Sequence, residues 1–135
     1  MSDKITLDEI DDFTRGYIEA AFFTSTDESR EDGGDPLDKN YSPEDLTDEA
    51  LARIVCDCSE FQIRHTELLH DAKYNESEWS DSEMAGHDFW LTRNGQGSGF
   101  WDRGLGEVGD KLTEAAKAAG ECHLIVGDDG KVHVL

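Results

Sequence analysis

Gly86-His87-Asp88-Phe89-Trp90-Leu91-Thr92-Arg93-Asn94-Gly95-Gln96-Gly97-Ser98-Gly99-Phe100-Trp101-Asp102-Arg103-Gly104 is the stretch whose reading decides the fold. It holds two of the three Trp and two of the six Phe residues, in a chain otherwise dominated by acids. Residues 88–93 and 99–103 are rich in Phe, Trp, Leu and Thr, types that suit a pleated, half-buried surface. Asn94-Gly95 is a turn dipeptide, and Gly97 and Gly99 lengthen the connection. The pattern predicts a glycine-tipped β-hairpin on which the other elements pack. Trp90, Phe100 and Trp101 beside Arg93 and Arg103 also suggest a base-stacking platform. The surrounding negative charge opposes nucleic acid, so the aromatics are read as a core face.

Working outward toward the C-terminus, Gly106 to Ala119 predicts a helix. Val108, Leu112, Ala115/Ala116 and Ala119 lie on one face, and Gly120 is the stop. Cys122 to Val126 and Lys131 to Leu135 predict a second hairpin around Gly127-Asp128-Asp129-Gly130. Toward the N-terminus, residues 75–83 predict a polar connection or a short helical turn, with Trp79 dropping onto the core. Leu46, Leu51, Ile54/Val55, Cys58, Phe61, His65, Leu68/Leu69 and Ala72 mark a long helix. It begins at Pro43 or Asp48 and ends near residue 73, with Ser42 or Thr47 as its cap. Residues 27–41 have little to bury and contain Gly33-Gly34 and Pro36, which predicts an exposed acidic loop. Thr6-Leu7-Asp8-Glu9 matches a capping box, with Ile5 and Ile10 as its staple. Ile10, Phe13, Tyr17 and Ala20/Ala21 then predict a first helix over 7–24. The expectation is a single α+β domain over 1–135. Its order is two N-terminal helices, β-hairpin, helix, β-hairpin (α-α-β-β-α-β-β), with an antiparallel sheet.

A chain of 135 residues carrying 32 acids and 12 bases has a net charge of −20. The first 50 residues hold 16 acids against 4 bases, so the charge is concentrated there. Such a field repels nucleic acid and anionic membranes and attracts basic surfaces. No basic stripe for nucleic acid is visible. No apolar run approaches the ~20 residues of a membrane span. The N-terminus lacks the basic and apolar regions of an export signal, so three reduced cysteines in a cytoplasm are expected.

Four patterns raise the question of chemistry. Cys56, Cys58, His65 and His70 are metal-ligand types, but positions 56 and 58 of a helix diverge by about 200°. Two remaining ligands do not close a zinc site. Neither a metal nor any other cofactor is therefore expected. Gly95, Gly97 and Gly99 lack the helix that must follow a dinucleotide loop. The acids from Asp27 to Asp38 place Asp where a calcium loop needs Gly and Glu. The fourth pattern is a set of polar and aromatic groups around the predicted hairpin, namely His87, Asp88, Trp90, Arg93, Trp101, Asp102 and Arg103. They would frame a small pocket, although an Asp88–Arg103 cross-strand ion pair explains the charges more simply.

The motif Ala85-Gly86-His87-Asp88-Phe89-Trp90-Leu91-Thr92-Arg93-Asn94-Gly95, with Gly97 and Gly99-Phe100-Trp101-Asp102-Arg103-Gly104, resembles a group of small uncharacterised acidic proteins of bacteriophages and mobile elements. The likeness continues through Gly109-Asp110-Lys111-Leu112-Thr113-Glu114-Ala115-Ala116-Lys117 and Val126-Gly127-Asp128-Asp129-Gly130-Lys131. It is weaker at 17–21 and 25–29, and it covers roughly half the chain. The resemblance implies a setting, the cytoplasm of an infected or element-bearing bacterium, and brings no activity with it.

Charge and setting together lead to an expected function: a noncatalytic protein that binds a basic host protein, a nucleic-acid-processing or defence enzyme. Asp11, Asp12, Asp27, Glu28, Glu31, Asp32, Asp35, Asp38, Glu44, Asp45, Asp48 and Glu49 would stand in for phosphates. Solubility or salt adaptation also explains such acidity. The alternative is a small ligand-binding or enzymatic domain with its site beside residues 86–104.

Overall fold

Ser80 opens the decisive element, because its hydroxyl accepts the Glu83 backbone N–H at 3.1 Å and caps a helix. In the computed structural model, which describes residues 6–27, 35–74 and 80–135, that helix runs Asp81–Arg93. The expected hairpin at 86–104 is therefore overturned. Residues 88–93 are helical, and 100–102 form a 3-10 turn, Phe100–Asp102. Asn94-Gly95 ends the helix instead of turning a hairpin. Gly95 takes φ +66°, its N–H bonds the Thr92 carbonyl, and the Gln96 N–H bonds that of Leu91. That pair of bonds is the Schellman stop.

The physical reason for the misreading is burial. Met84, Ala85, Gly86, Asp88, Phe89, Trp90, Thr92 and Arg93 are all buried, so the helix shows no polar face from which a 3.6-residue period can be read. Aromatic and Thr-rich composition then mimics a strand, while tertiary contacts set the outcome.

In chain order, the helices are α1 (Asp12–Thr24), α2 (Leu37–Asn40), α3 (Asp48–Arg64), α4 (Thr66–Asp71), α5 (Asp81–Arg93) and α6 (Glu107–Ala118). The strands are β1 (Thr26–Asp27), β2 (Asp35–Pro36), β3 (Leu124–Val126) and β4 (Val132–Val134). The mixed helix-and-strand class stands, but helices dominate and the order differs from the expected one. Among the described residues, the antiparallel ladders are two short pairs. Thr26 faces Pro36 and Asp27 faces Asp35 in one; Leu124 faces Val134 and Val126 faces Val132 in the other. A parallel bridge from Leu46 to Val132 ties the second pair to the start of α3.

The predicted C-terminal elements are present, with Gly120 at φ +80° closing α6. The first helix begins later than expected. Thr6 and Glu9 bracket a 3-10 turn, Leu7–Glu9, and Asp11 caps α1 by accepting the Thr14 N–H at 2.9 Å. Ile5 lies outside the described residues. The long helix breaks at His65 into α3 and α4, with Thr47 capping α3. Part of the expected exposed loop is structured: Leu37 is fully buried and Asp27 is 2 % exposed.

α1 and α5 cross with their backbones in contact. A Cβ on Gly86 would strike the Phe13 carbonyl oxygen and lie 2.9 Å from the Tyr17 nitrogen. A Cβ on Gly16 would strike the Glu83 carbonyl oxygen. Phe61 of α3 seals the crossing, its ring centroid 4.1 Å from Phe89 and 6.0 Å from Phe13. Tyr17 packs edge-on against Trp90 at 5.3 Å. Phe100, Leu112, Ala116 and Val132 complete the core.

Candidate functional site

Because α5 is a helix, the polar residues expected to frame one pocket radiate to different sides. Asp88 is wholly buried and accepts a forked pair of bonds from Arg103, Nε at 3.1 Å and Nη2 at 2.9 Å. The Tyr74 hydroxyl donates to its other oxygen at 2.7 Å. The ion pair read from sequence therefore exists, but it joins a helix to the loop after it. Burial pushes the Asp88 carboxyl above its ordinary range, and Arg103 and Tyr74 offset part of that rise. Burial likewise raises the Tyr74 hydroxyl, reinforced by Asp88 beside it.

Arg93 points the other way. Its Nε donates to the Gly120 carbonyl oxygen (2.7 Å) and Nη2 to that of Ala119 (3.0 Å), which satisfies the end of α6. Nη1 reaches both the Tyr17 hydroxyl and Asp57 Oδ2 at 3.0 Å. The guanidinium also lies 5.1 Å from the Phe89 ring centroid. Trp90 is in the core with Nε1 bonded to Thr24 Oγ1 at 2.8 Å, whereas Trp101 and Asp102 are exposed. The core reading of the aromatics holds for Trp90 and Phe100 and fails for Trp101, which is 51 % exposed.

Two concave features flank α5. A groove of about 660 Å³ runs along α1 and α5, with Phe22, Phe23 and Leu91 as its apolar surface and Glu19, His87 and Arg103 as its polar groups. Of the seven residues expected in a pocket, His87 and Arg103 meet here. A second cavity of about 460 Å³ lies on the opposite side. It is floored by Phe61 and Phe89, with Asp57, His65 and Arg93 among its walls. His65 is held below its usual value by desolvation and then by the charge of Arg64.

Glu19 and Glu83 went unseen in the sequence as site residues. Glu83 and His87 are four apart and become neighbours, one turn from each other, only if the segment is helical; in a strand the same spacing holds them about 13 Å apart. The Ser80-x-x-Glu83 capping pattern was the available clue.

The acidic set divides. Asp11 and Asp12 begin α1, and Gln62 near the end of α3 donates to Asp11 Oδ2 at 3.1 Å. The start of α3, with Asp48 and Glu49 exposed, is therefore about 21 Å along the helix from Gln62. Glu44 and Asp45 precede it in the 3-10 turn Pro43–Asp45, and Asp38 is exposed on α2. Asp35 is half-buried in β2. Asp27 is buried and leaves the expected surface. Glu28, Glu31 and Asp32 lie outside the described residues. Cys56 is exposed and Cys58 buried, so the two thiols diverge as the helical geometry requires.

No family model, curated protein or solved structure matches the chain.

Proposed function

We propose that the protein is a noncatalytic acidic binding protein of a bacteriophage or mobile element. It acts in the bacterial cytoplasm and occupies the basic, nucleic-acid-binding surface of a host processing or defence enzyme. The observation that carries this reading is the fate of the arginines. All five among the described residues, Arg15, Arg53, Arg64, Arg93 and Arg103, are paired with carboxylates of this chain. Guanidinium is the group best shaped to grip phosphate, and here it is engaged internally. Asp12, Asp38, Glu44, Asp48 and Glu49 meanwhile face solvent. The result is a surface that attracts cations and repels polyanions.

The test is a competition. Host proteins retained on the immobilised chain are challenged with duplex DNA and with rising salt. Charge mimicry requires release by both, and it requires weaker retention by the triple variant Glu44→Gln/Asp48→Asn/Glu49→Gln. Retention indifferent to DNA, or equal for the variant, defeats the reading.

A second reading, a ligand site beside residues 86–104, is favoured by the groove along α1 and α5. Its volume falls in the range of small-molecule sites, and a few polar groups converge on apolar walls. Saturable binding from a small-molecule panel, lost in Leu91→Arg, is the expected outcome if the groove holds a ligand.

A further inference from the structure

Contact between α1 and α5 at Gly16 and Gly86 does more than pack a core. It brings the outer faces of the two helices close enough for side chains of one to share space with those of the other. Glu83 and His87, one turn apart on α5, both lie against Gly16; a Cβ there would be 3.0 Å from His87 Cδ2. Glu19, three residues beyond Gly16, reaches the same point from α1, with Oε2 3.3 Å from His87 Nε2. One donor atom from each of Glu19, Glu83 and His87 falls within 4.8 Å of the other two.

We propose that Glu19, Glu83 and His87 bind a single divalent first-row transition-metal ion at the α1–α5 crossing. Donor atoms bound at about 2.0–2.2 Å around a tetrahedral ion stand roughly 3.4 Å apart, and the Glu19–His87 separation already has that value. Glu83 completes the third corner by turning its own side chain. Two carboxylates and one imidazole make an oxygen and nitrogen donor set, which suits zinc, cobalt or manganese better than the larger calcium ion. Glu19 and Glu83 bring two carboxylates to one point beside a single imidazole, and a dication there offsets their mutual repulsion. Three protein ligands leave coordination positions open, as in sites that admit water or substrate. Glu19 and His87 are also groove residues, so those positions adjoin the groove. The ion's binding does not depend on the charge-mimicry reading or on a ligand in the groove.

Zinc titration by calorimetry, in excess magnesium to suppress diffuse attraction to a −20 chain, tests the site. The expected result is one saturable equivalent in the native protein. Affinity should fall at least about tenfold in each of Glu19→Gln, Glu83→Gln and His87→Gln, by analogy with lost metal contacts. Cys56→Ser and Glu44→Gln should bind as the native chain does. Urea midpoints of all variants establish that they fold, and Glu19→Gln, at an exposed position, serves if a change on α5 does not. Absence of a saturable site, equal affinity in the three variants, or loss in Cys56→Ser would overturn the proposal.

Discussion

Arg93 shows how much one side chain can organise. Its guanidinium satisfies two carbonyls at the end of α6, a tyrosine hydroxyl of α1 and a carboxylate of α3. An ammonium is a point donor on a flexible stem and cannot span those four acceptors. Arg93→Lys should therefore lower stability by about 3 kcal/mol in urea titration, in the range for breaking a buried pair. Asp11 works at smaller scale and with a pH signature. Burial opposes its ionisation, but hydrogen bonds from Thr14 and Gln62 prevail and hold the carboxyl below 3.8. A lowered carboxylate pKa contributes stability above that value, and the contribution is lost as pH falls through the folded pKa. Asp11→Ala should cost about 1 kcal/mol at neutral pH, the worth of a helix cap. The gap between variant and native protein should narrow below pH 3.8 in denaturant titrations at both pH values.

At the scale of elements, the α1–α5 crossing is the critical contact. Gly86→Ala places a methyl group on a backbone carbonyl, so relief requires the helices to separate. A loss of about 3 kcal/mol is expected, the upper end for overpacking. Gly95 provides the contrast. A Cβ there meets open space, and the change to Ala carries only the strain of φ +66°, about 1 kcal/mol. Thermal melts of the two variants should rank Gly86→Ala as much the more damaging. If the segment were a hairpin, the order would reverse, because the tip glycine would matter and Gly86 would not. Much of the fold was nonetheless legible. The periodic stripe of α3, the helix–glycine signature of α6 and the turn of β3–β4 all appear where their residues predict them. α5 was not legible because burial on nearly every side erased its period.

Across the whole molecule, charge is the dominant property. A net charge of −20 on 135 residues repels itself in the folded state more than in an expanded chain. Added sodium chloride should raise the thermal midpoint steadily as the Debye length shrinks from about 10 Å at 0.1 M to about 3 Å at 1 M. A midpoint insensitive to salt would mean that the acids are locally neutralised. The acidic surface was legible as composition but not as a shape. Asp27 is buried, and Asp11 and Asp48 stand at opposite ends of α3, which no count along the chain reveals.

By itself the sequence determined the charge, the helices of strong period, the glycine stop of α6 and the C-terminal hairpin, because each depends on neighbours within a few residues. Tertiary structure alone decided that residues 81–93 form a helix, that Gly16 and Gly86 let two backbones touch, and that Glu19 meets Glu83 and His87. Those outcomes depend on which side chains are removed from water together, and that is settled only when distant segments pack.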